Sequence, residues 1–369
     1  MTDYVRPFTL AAVGDLQLGD SSICVGFGFC SRFADVDLNS VFADAAPRWA
    51  GVDLMFGNLE TTLSSIGLIP DRWDSAQMRG LSRFGRQLRQ AGFTVLNVAN
   101  NHAVQHGTDA FQETVGILRE AGIAPCGIRG GGDWCSEPVI VTGSSGSKLG
   151  VLGYCHRPRQ YGTVTPPYAE GSLDAMLADV ARLRPMVNHV AVSLHWGEEF
   201  VALPSQQEVH QARTLIEGGA SVILGHHPHV LRPVEWYRSG LIAYSLGNFV
   251  GDMVWHEPLR KGAVLGCTLG DGCVLHAELT ETYVDAGFIP RMLSPSRPIR
   301  ADLPGPNGLD EASYQDAIGR TIRAQRRAAY GYALRNLGRF RPRLLAQLAR
   351  VTIQNKLAAM VPGRENPGE

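Results

Sequence analysis

GHHPHVLRPVE, residues 225–235, follows the apolar run Val222 to Leu224 and places His226, His227 and His229 in quick succession. A short apolar run bounded by Gly reads as a buried strand, so these imidazoles sit at or just beyond a strand's carboxyl end. The same arrangement recurs along the chain. Gly14-Asp15 follows Leu10 to Val13, Asn58-Leu59-Glu60 follows Leu54 to Phe56, and Asn100-Asn101-His102 follows Val95 to Ala99. His195-Trp196-Gly197 follows Val190 to Leu194, and Gly247-Asn248 follows Leu241 to Leu246. In layered α/β proteins the loops beyond the carboxyl ends of strands converge on a ligand. An Asp, a Glu, an Asn and several His meeting there form a donor set for a hard-to-borderline divalent cation.

The segments between these runs have helical spacing. Leu81, Phe84, Leu88 and Ala91 lie on one face of a helix predicted over Leu81 to Ala91, and Gly92 stops it. Helices are also predicted over Asp109 to Ala121 and Ser205 to Glu217. This βαβ rhythm predicts a layered α/β domain over residues 1–293. Within it, Ala263 to Leu269 and Val274 to Thr280 read as a hairpin turning at Gly270-Asp271-Gly272, which Tyr283 to Leu293 could extend. Residues 294–309, rich in Pro, read as a linker. Residues 310–369 form a basic extension, helical over 310–361, with Leu344, Leu345, Leu348, Val351 and Ile353 on a partly amphipathic pattern.

With 44% hydrophobic and 19% charged residues, the chain can bury a sizeable core. A net charge of −1 offers no bulk attraction to nucleic acid, and no reader motif accompanies the basic residues, so nucleic acid is not expected as a partner. The near-neutral total hides an asymmetry, because residues 319–364 hold eleven Lys or Arg and no Asp or Glu. That stretch could lie on a membrane surface, which is the one route to membrane association, or dock its leucines on the acidic body; docking is the expectation. Seven scattered cysteines fit no paired spacing and suggest a reducing compartment. The beginning of the sequence has no cationic segment leading into an apolar core, and no run reaches the ~18–20 apolar residues of a membrane span. The expected location is cytoplasmic.

GDLQLGD (14–20), FGNLET (56–61), VANNHAVQHG (98–107), LHWGEEF (194–200), GHHPHVLRPVE (225–235) and YSLGNFVGD (244–252) together resemble, in order, the CapA family. These are capsule or poly-γ-glutamate biosynthesis proteins of the calcineurin-like metallophosphoesterase superfamily. The resemblance covers roughly residues 8–293. It implies a four-layered αββα sandwich, here with a C-terminal helical extension, and a dinuclear metal centre. Carried over by position, it implies Asp15 and His229 at metal one, Glu60 as the bridging carboxylate, and Asn101, His195 and His227 at metal two. His102 falls where the superfamily keeps a proton donor to the leaving group. The implied cofactor is one or two divalent ions (Mn, Zn, Fe or Mg). Two positions depart from the pattern: Gln17 stands where phosphatases have a metal-binding His, and Gln105 stands where related sequences often have Asp.

Each residue also has a plain structural explanation. Asp15 could cap a turn, Asn101 could satisfy left-handed backbone, and His195 could be a strand-end histidine packed on Trp196. It is their joint occurrence that points to metal. Asn248 is a candidate for binding substrate or orienting His227, and Arg79 for binding an anionic group. His226 is expected no nearer than behind the ligands, and Glu198 and Glu199 could reach substrate. The loop Asp20 to Asn39 is where substrate selection is placed.

The resulting expectation is a metal-dependent hydrolase or acyl/phosphoryl transferase acting on a carboxylate-rich, peptide-like or phosphorylated metabolite. No GxxxxGK[ST] loop is present, so ATP-driven ligation would require a partner ligase. The alternatives are a metal-stabilised, non-catalytic accessory subunit of a polymer-synthesis complex, and a simple phosphomonoesterase.

Overall fold

The structure is a computed structural model that describes residues 7–162 and 165–358, with side chains as far as Arg350. Val351 and Ile353 of the expected amphipathic pattern, and residues 359–369 of the extension, lie outside the described side chains.

Two mixed sheets stack face to face. The first runs Pro290–Met292, Cys273–Val284, Lys261–Gly270, Phe8–Leu16, Leu54–Leu59, Val95–Asn97 and Ala124–Cys126. Asn248–Val250 pairs in parallel with the end of Phe8–Leu16, and Arg297–Pro298 pairs with Cys273–Val284. The second sheet runs Val234–Tyr237, Gly240–Ala243, Val222–His226, His189–His195, Lys148–Cys155 and Val139–Thr142. Its central strands are parallel and its two edges antiparallel.

Strand side chains alternate faces, and that alternation sorts the core into layers. Phe8, Leu10 and Ala12 face Leu149, Val151, Ala191, Val222 and Leu224 across the gap between the sheets. Ala11 and Val13 face the other way, into a core with Phe84 and Leu88 of helix Phe84–Gln90 and Phe111, Val115 and Leu118 of helix Thr108–Glu120. On the far side, Val190, Val192 and Leu194 pack on helices Leu173–Leu183 and Gln206–Glu217. Helices, sheet, sheet and helices make the four layers expected.

The expected strands and helices appear with shifted ends. The strand from Val95 stops at Asn97, whose Oδ1 accepts from Ala99 N at 3.3 Å in place of a ladder partner. The helix expected from Leu81 begins at Phe84, because Leu81 serves as a turn carbonyl for Phe84 N. The third helix starts on the capping box Ser205/Glu208. The strand expected over Leu241 to Leu246 ends at Ala243, since Leu246 turns back to donate to Gly225 O at 3.2 Å.

The segment 294–309 lies along the body. Ile299 N donates to Ala277 O at 2.8 Å, and Leu309 pairs with Ser205. Helices Glu311–Arg335 and Pro342–Ala358 follow. Phe340 is buried, its ring 4.8 Å from Phe27 and edge-on, in a small core with Cys24, Trp255 and Tyr332. Gln347 Oε1 accepts from Trp73 N at 2.9 Å, and Arg341 pairs with Asp71 at 2.7 Å. The inner face of the extension is therefore docked on the body.

Candidate metal centre

The site forms where the carboxyl ends of both sheets meet. Its tightest joint is between Phe8–Leu16 and the turn before Asn248. A Cβ on Gly14 would lie 1.9 Å from Gly247 O, so only glycine lets these backbones approach, and Asp15 N then donates to Gly247 O at 2.9 Å. Asp15 is thereby fixed beneath the histidine turn, fully buried. Its Oδ1 accepts from Asn58 Nδ2 at 2.8 Å and its Oδ2 from His227 N at 3.3 Å, while His229 Nδ1 lies 3.2 Å from Oδ2. Burial works against its charge, but hydrogen bonds and charge from His226 and His229 win. They hold its carboxyl well below the usual range.

Glu60 lies between two groups of donors. Its Oε2 is 3.4 Å from Gln17 Nε2 and 3.7 Å from His229 Nδ1. Its Oε1 is 3.5 Å from His195 Nε2 and 3.9 Å from His102 Nε2, and accepts no hydrogen bond. Burial pushes its carboxyl well above the usual range, opposed mainly by the charge of His229. Asn101 Oδ1 lies 2.8 Å from His195 Nε2 and its Nδ2 donates to Gln160 Oε1 at 3.1 Å. His227 and His229 hold left-handed backbone, φ 93° and 57°, which turns both rings inward from one bent loop. The His227 ring lies 4.7 Å from that of His195, and donor atoms of Glu60, His227 and His229 all lie within 4.8 Å of one another. Burial keeps His195 and His227 well below the usual imidazole range, so both are neutral bases. In His229, burial is outweighed by Glu60 and Asp15, and the ring is pushed up to about 10.

These residues suit a divalent cation on the structure's own terms. Both nitrogens of His227, Glu60 Oε1 and Gln17 Oε1 are buried without a hydrogen-bond partner. Leaving such groups orphaned is costly, and a Lewis acid would satisfy them together. The cluster supplies two carboxylates, a carboxamide and three imidazoles, and His229, which is charged while it faces the acids alone, would release its proton to ligate a cation. Asp15, Glu60, Asn101, His195, His227 and His229 are thus gathered in one place.

Two expectations need correction. Arg79 is buried, and its guanidinium donates to Ser75 O, Ser64 O and Ile66 O at 2.7–3.0 Å, so it ties a loop together and does not offer itself to an anion. Asn248 is committed to the protein at both ends: Nδ2 donates to Leu259 O and Oδ1 lies 3.0 Å from His229 Nδ1, so it orients His229 and not His227. His226 lies behind the ligand Asp15, with Nδ1 3.5 Å from Asp15 Oδ1. The Asp20 to Asn39 loop is folded back on itself. Asp20 accepts from Gly26 N and Ser31 N, Asp252 accepts from Ser21 N and Phe29 N, and Phe27 meets the extension.

The chain Asn97 Nδ2 to Asn58 Oδ1, then Asn58 Nδ2 to Asp15, was not read from the sequence. Its signal is there: Asn97 is a polar residue inside a buried apolar run, and Asn58 points to the same strand face as Glu60. Gln160 and Tyr161 also reach the site from the loop after Lys148–Cys155, and no local pattern marks them.

The family model for the bacterial capsule synthesis protein PGA_cap matches residues 9–253. The chain is 28% identical over 263 residues to the capsule biosynthesis protein CapA of Bacillus anthracis, covering 67% of this chain and 60% of that one. It is 27% identical over 220 residues to the PGA biosynthesis protein CapA of Bacillus subtilis, covering 59% and 58%. The match thus spans about six-tenths of the length of these relatives. Among solved structures, a hypothetical protein from Thermus thermophilus is similar with a TM-score of 0.47 and 15% identity, covering 74% of this chain and 98% of that one. With the family model matching most of the chain, this protein belongs to the CapA, or PGA_cap, family of bacterial capsule synthesis proteins.

Proposed function

We propose that this chain is a metal-dependent enzyme of capsule or poly-glutamate synthesis, acting on an acyl or amide bond of a carboxylate-rich, peptide-like metabolite. The observation that supports it is Glu60, whose two oxygens address two separate donor groups: Gln17 and His229 on one side, His195 and His102 on the other. One or two divalent ions held by Asp15, Glu60, Asn101, His195, His227 and His229 would supply Lewis acidity and acidify water there.

His102 is placed to move the proton. Its Nδ1 lies 2.7 Å from Gln105 Oε1, an acceptor, so Nδ1 carries the hydrogen and the Nε2 lone pair faces Glu60. Burial lowers this ring to about 4, so it is neutral at pH 7. It therefore acts first as a base on an incoming nucleophile and then returns that proton to the leaving group. Hydrolysis is the simpler reaction, since transfer to an amine also needs an acceptor held in place.

The test is elemental analysis of protein purified without chelator, comparing wild type with Asp15→Ala and His227→Ala. Wild type is expected to carry bound divalent metal, and both variants to lose most of it. A wild type free of metal, and unaffected by added metal, overturns the proposal. One relative, in Mycobacterium tuberculosis, is named a probable polyglutamine synthesis accessory protein. If His102→Ala supports polymer synthesis as well as wild type, the accessory reading replaces the enzymatic one.

A further inference from the structure

The turn after His195 is fixed at every residue but one side chain. Gly197 and Phe200 both hold left-handed backbone, φ 75° and 69°, which a Phe adopts only where its surroundings impose it. Arg157 Nη1 donates to Gly197 O and to Glu198 Oε1, each at 2.6 Å. The Tyr314 hydroxyl, from the C-terminal extension, accepts from Glu198 N at 3.0 Å. Arg232 Nη2 donates to Glu198 O at 3.3 Å, and Phe200 N donates to Pro228 O at 2.7 Å. The Phe200 ring lies 6.1 Å from that of His229.

The exception is the Glu199 carboxylate. It is half-buried and has no hydrogen-bond or ion-pair partner among the described residues. Its charge is felt at Glu60 and His229 in the pocket and at the Tyr161 hydroxyl. The Tyr161 ring in turn lies 6.1 Å from that of His102. Arg157, which reaches this turn from the loop after Lys148–Cys155, is already paired with Glu198. A rigidly presented carboxylate at the edge of a metal pocket, with no cation of its own, repels the carboxylates of a substrate and attracts a positive group.

We propose that Glu199, with the Tyr161 hydroxyl, receives the primary ammonium of the substrate: the acceptor amine in a transfer, or the free amino end of a peptide in a hydrolysis. A charge-assisted hydrogen bond to Glu199 would hold that nitrogen at the edge of the pocket. This inference rests on the proposed function of the same site, and its test separates the two.

Metal-loaded full-length protein is titrated calorimetrically with γ-L-glutamyl-L-glutamate and with its N-acetyl derivative, which lacks the ammonium. Wild type should bind the free amine about tenfold or more tightly than the acetylated form. Glu199→Gln, which keeps the shape and removes the charge, should lose that preference while its metal content stays at the wild-type level. Equal binding of the two peptides by wild type, or binding of neither, overturns the inference, as does a Glu199→Gln protein that still discriminates. Loss of metal from Glu199→Gln overturns it too, since Glu199 would then serve the ion. A wild type that holds no metal sinks the functional reading itself, which is a different result.

Discussion

Two side chains of the pocket respond to pH in opposite senses. His229 sits 3.2 Å from Asp15 and 3.7 Å from Glu60 and carries the positive charge that these acids require. Its ring is raised to about 10, above the ~6.5 of an unfolded histidine. The stability it contributes is complete below about pH 6.5 and is lost as the pH rises through the folded value. Chelator-treated protein should therefore show a falling Tm from near-neutral pH to about pH 10, and added divalent metal should lessen the fall while releasing protons. A flat profile in the metal-free protein would count against this assignment. His102 is lowered to about 4 beside the neutral amide of Gln105. Gln105→Glu would place a carboxylate against Nδ1 and favour the charged ring. The acid limb of the rate profile should move upward, which NMR titration of His102 would show directly. His102→Ala should cost about 10²–10⁴-fold in turnover with metal content intact.

Strands and turns decide whether those side chains meet. A methyl at Gly14 would collide with Gly247 O, which is tied to Asp15 N by a hydrogen bond and bridged to Gly262, so neither backbone can yield cheaply. Gly14→Ala should destabilise the chain by about 3 kcal/mol or more in denaturant unfolding. By contrast, Ser205→Ala removes only one half of a capping box and should cost about 1 kcal/mol. The strands themselves were legible because apolar runs with a polar end residue have few other readings. Their ends were less so. Asn97 stops its strand with its own side chain, and Leu246 leaves for Gly225, both choices made by tertiary partners that a local window does not contain. Arg79 was misread for the same reason: a guanidinium near a site suggests an anion until the carbonyls of residues 64, 66 and 75 are seen around it.

Across the whole molecule, the extension is what ties distant parts of the rim together. Phe340 meets Phe27, Gln347 meets Trp73, and Tyr314 meets Glu198. Its basic, partly amphipathic pattern announced a surface helix but not which of its faces the body would claim. Phe340→Ala should loosen this contact, and limited proteolysis should then cut within 335–350 sooner than in wild type, with little change in the Tm of the sandwich. Unchanged cleavage would mean that the remaining contacts suffice.

Asp15, Glu60 and Asn101 come from one sheet and His195, His227 and His229 from the other, so the pocket is a seam between the halves of the sandwich. Any ion seated there acts as a rivet. It adds RT ln(1 + [L]/Kd) to the stability of the folded state, over and above the apolar core that the two sheets share. Stripping the rivet should quicken amide hydrogen exchange first at the strand tips around residues 15, 60, 195 and 226, while the outer helices exchange as before.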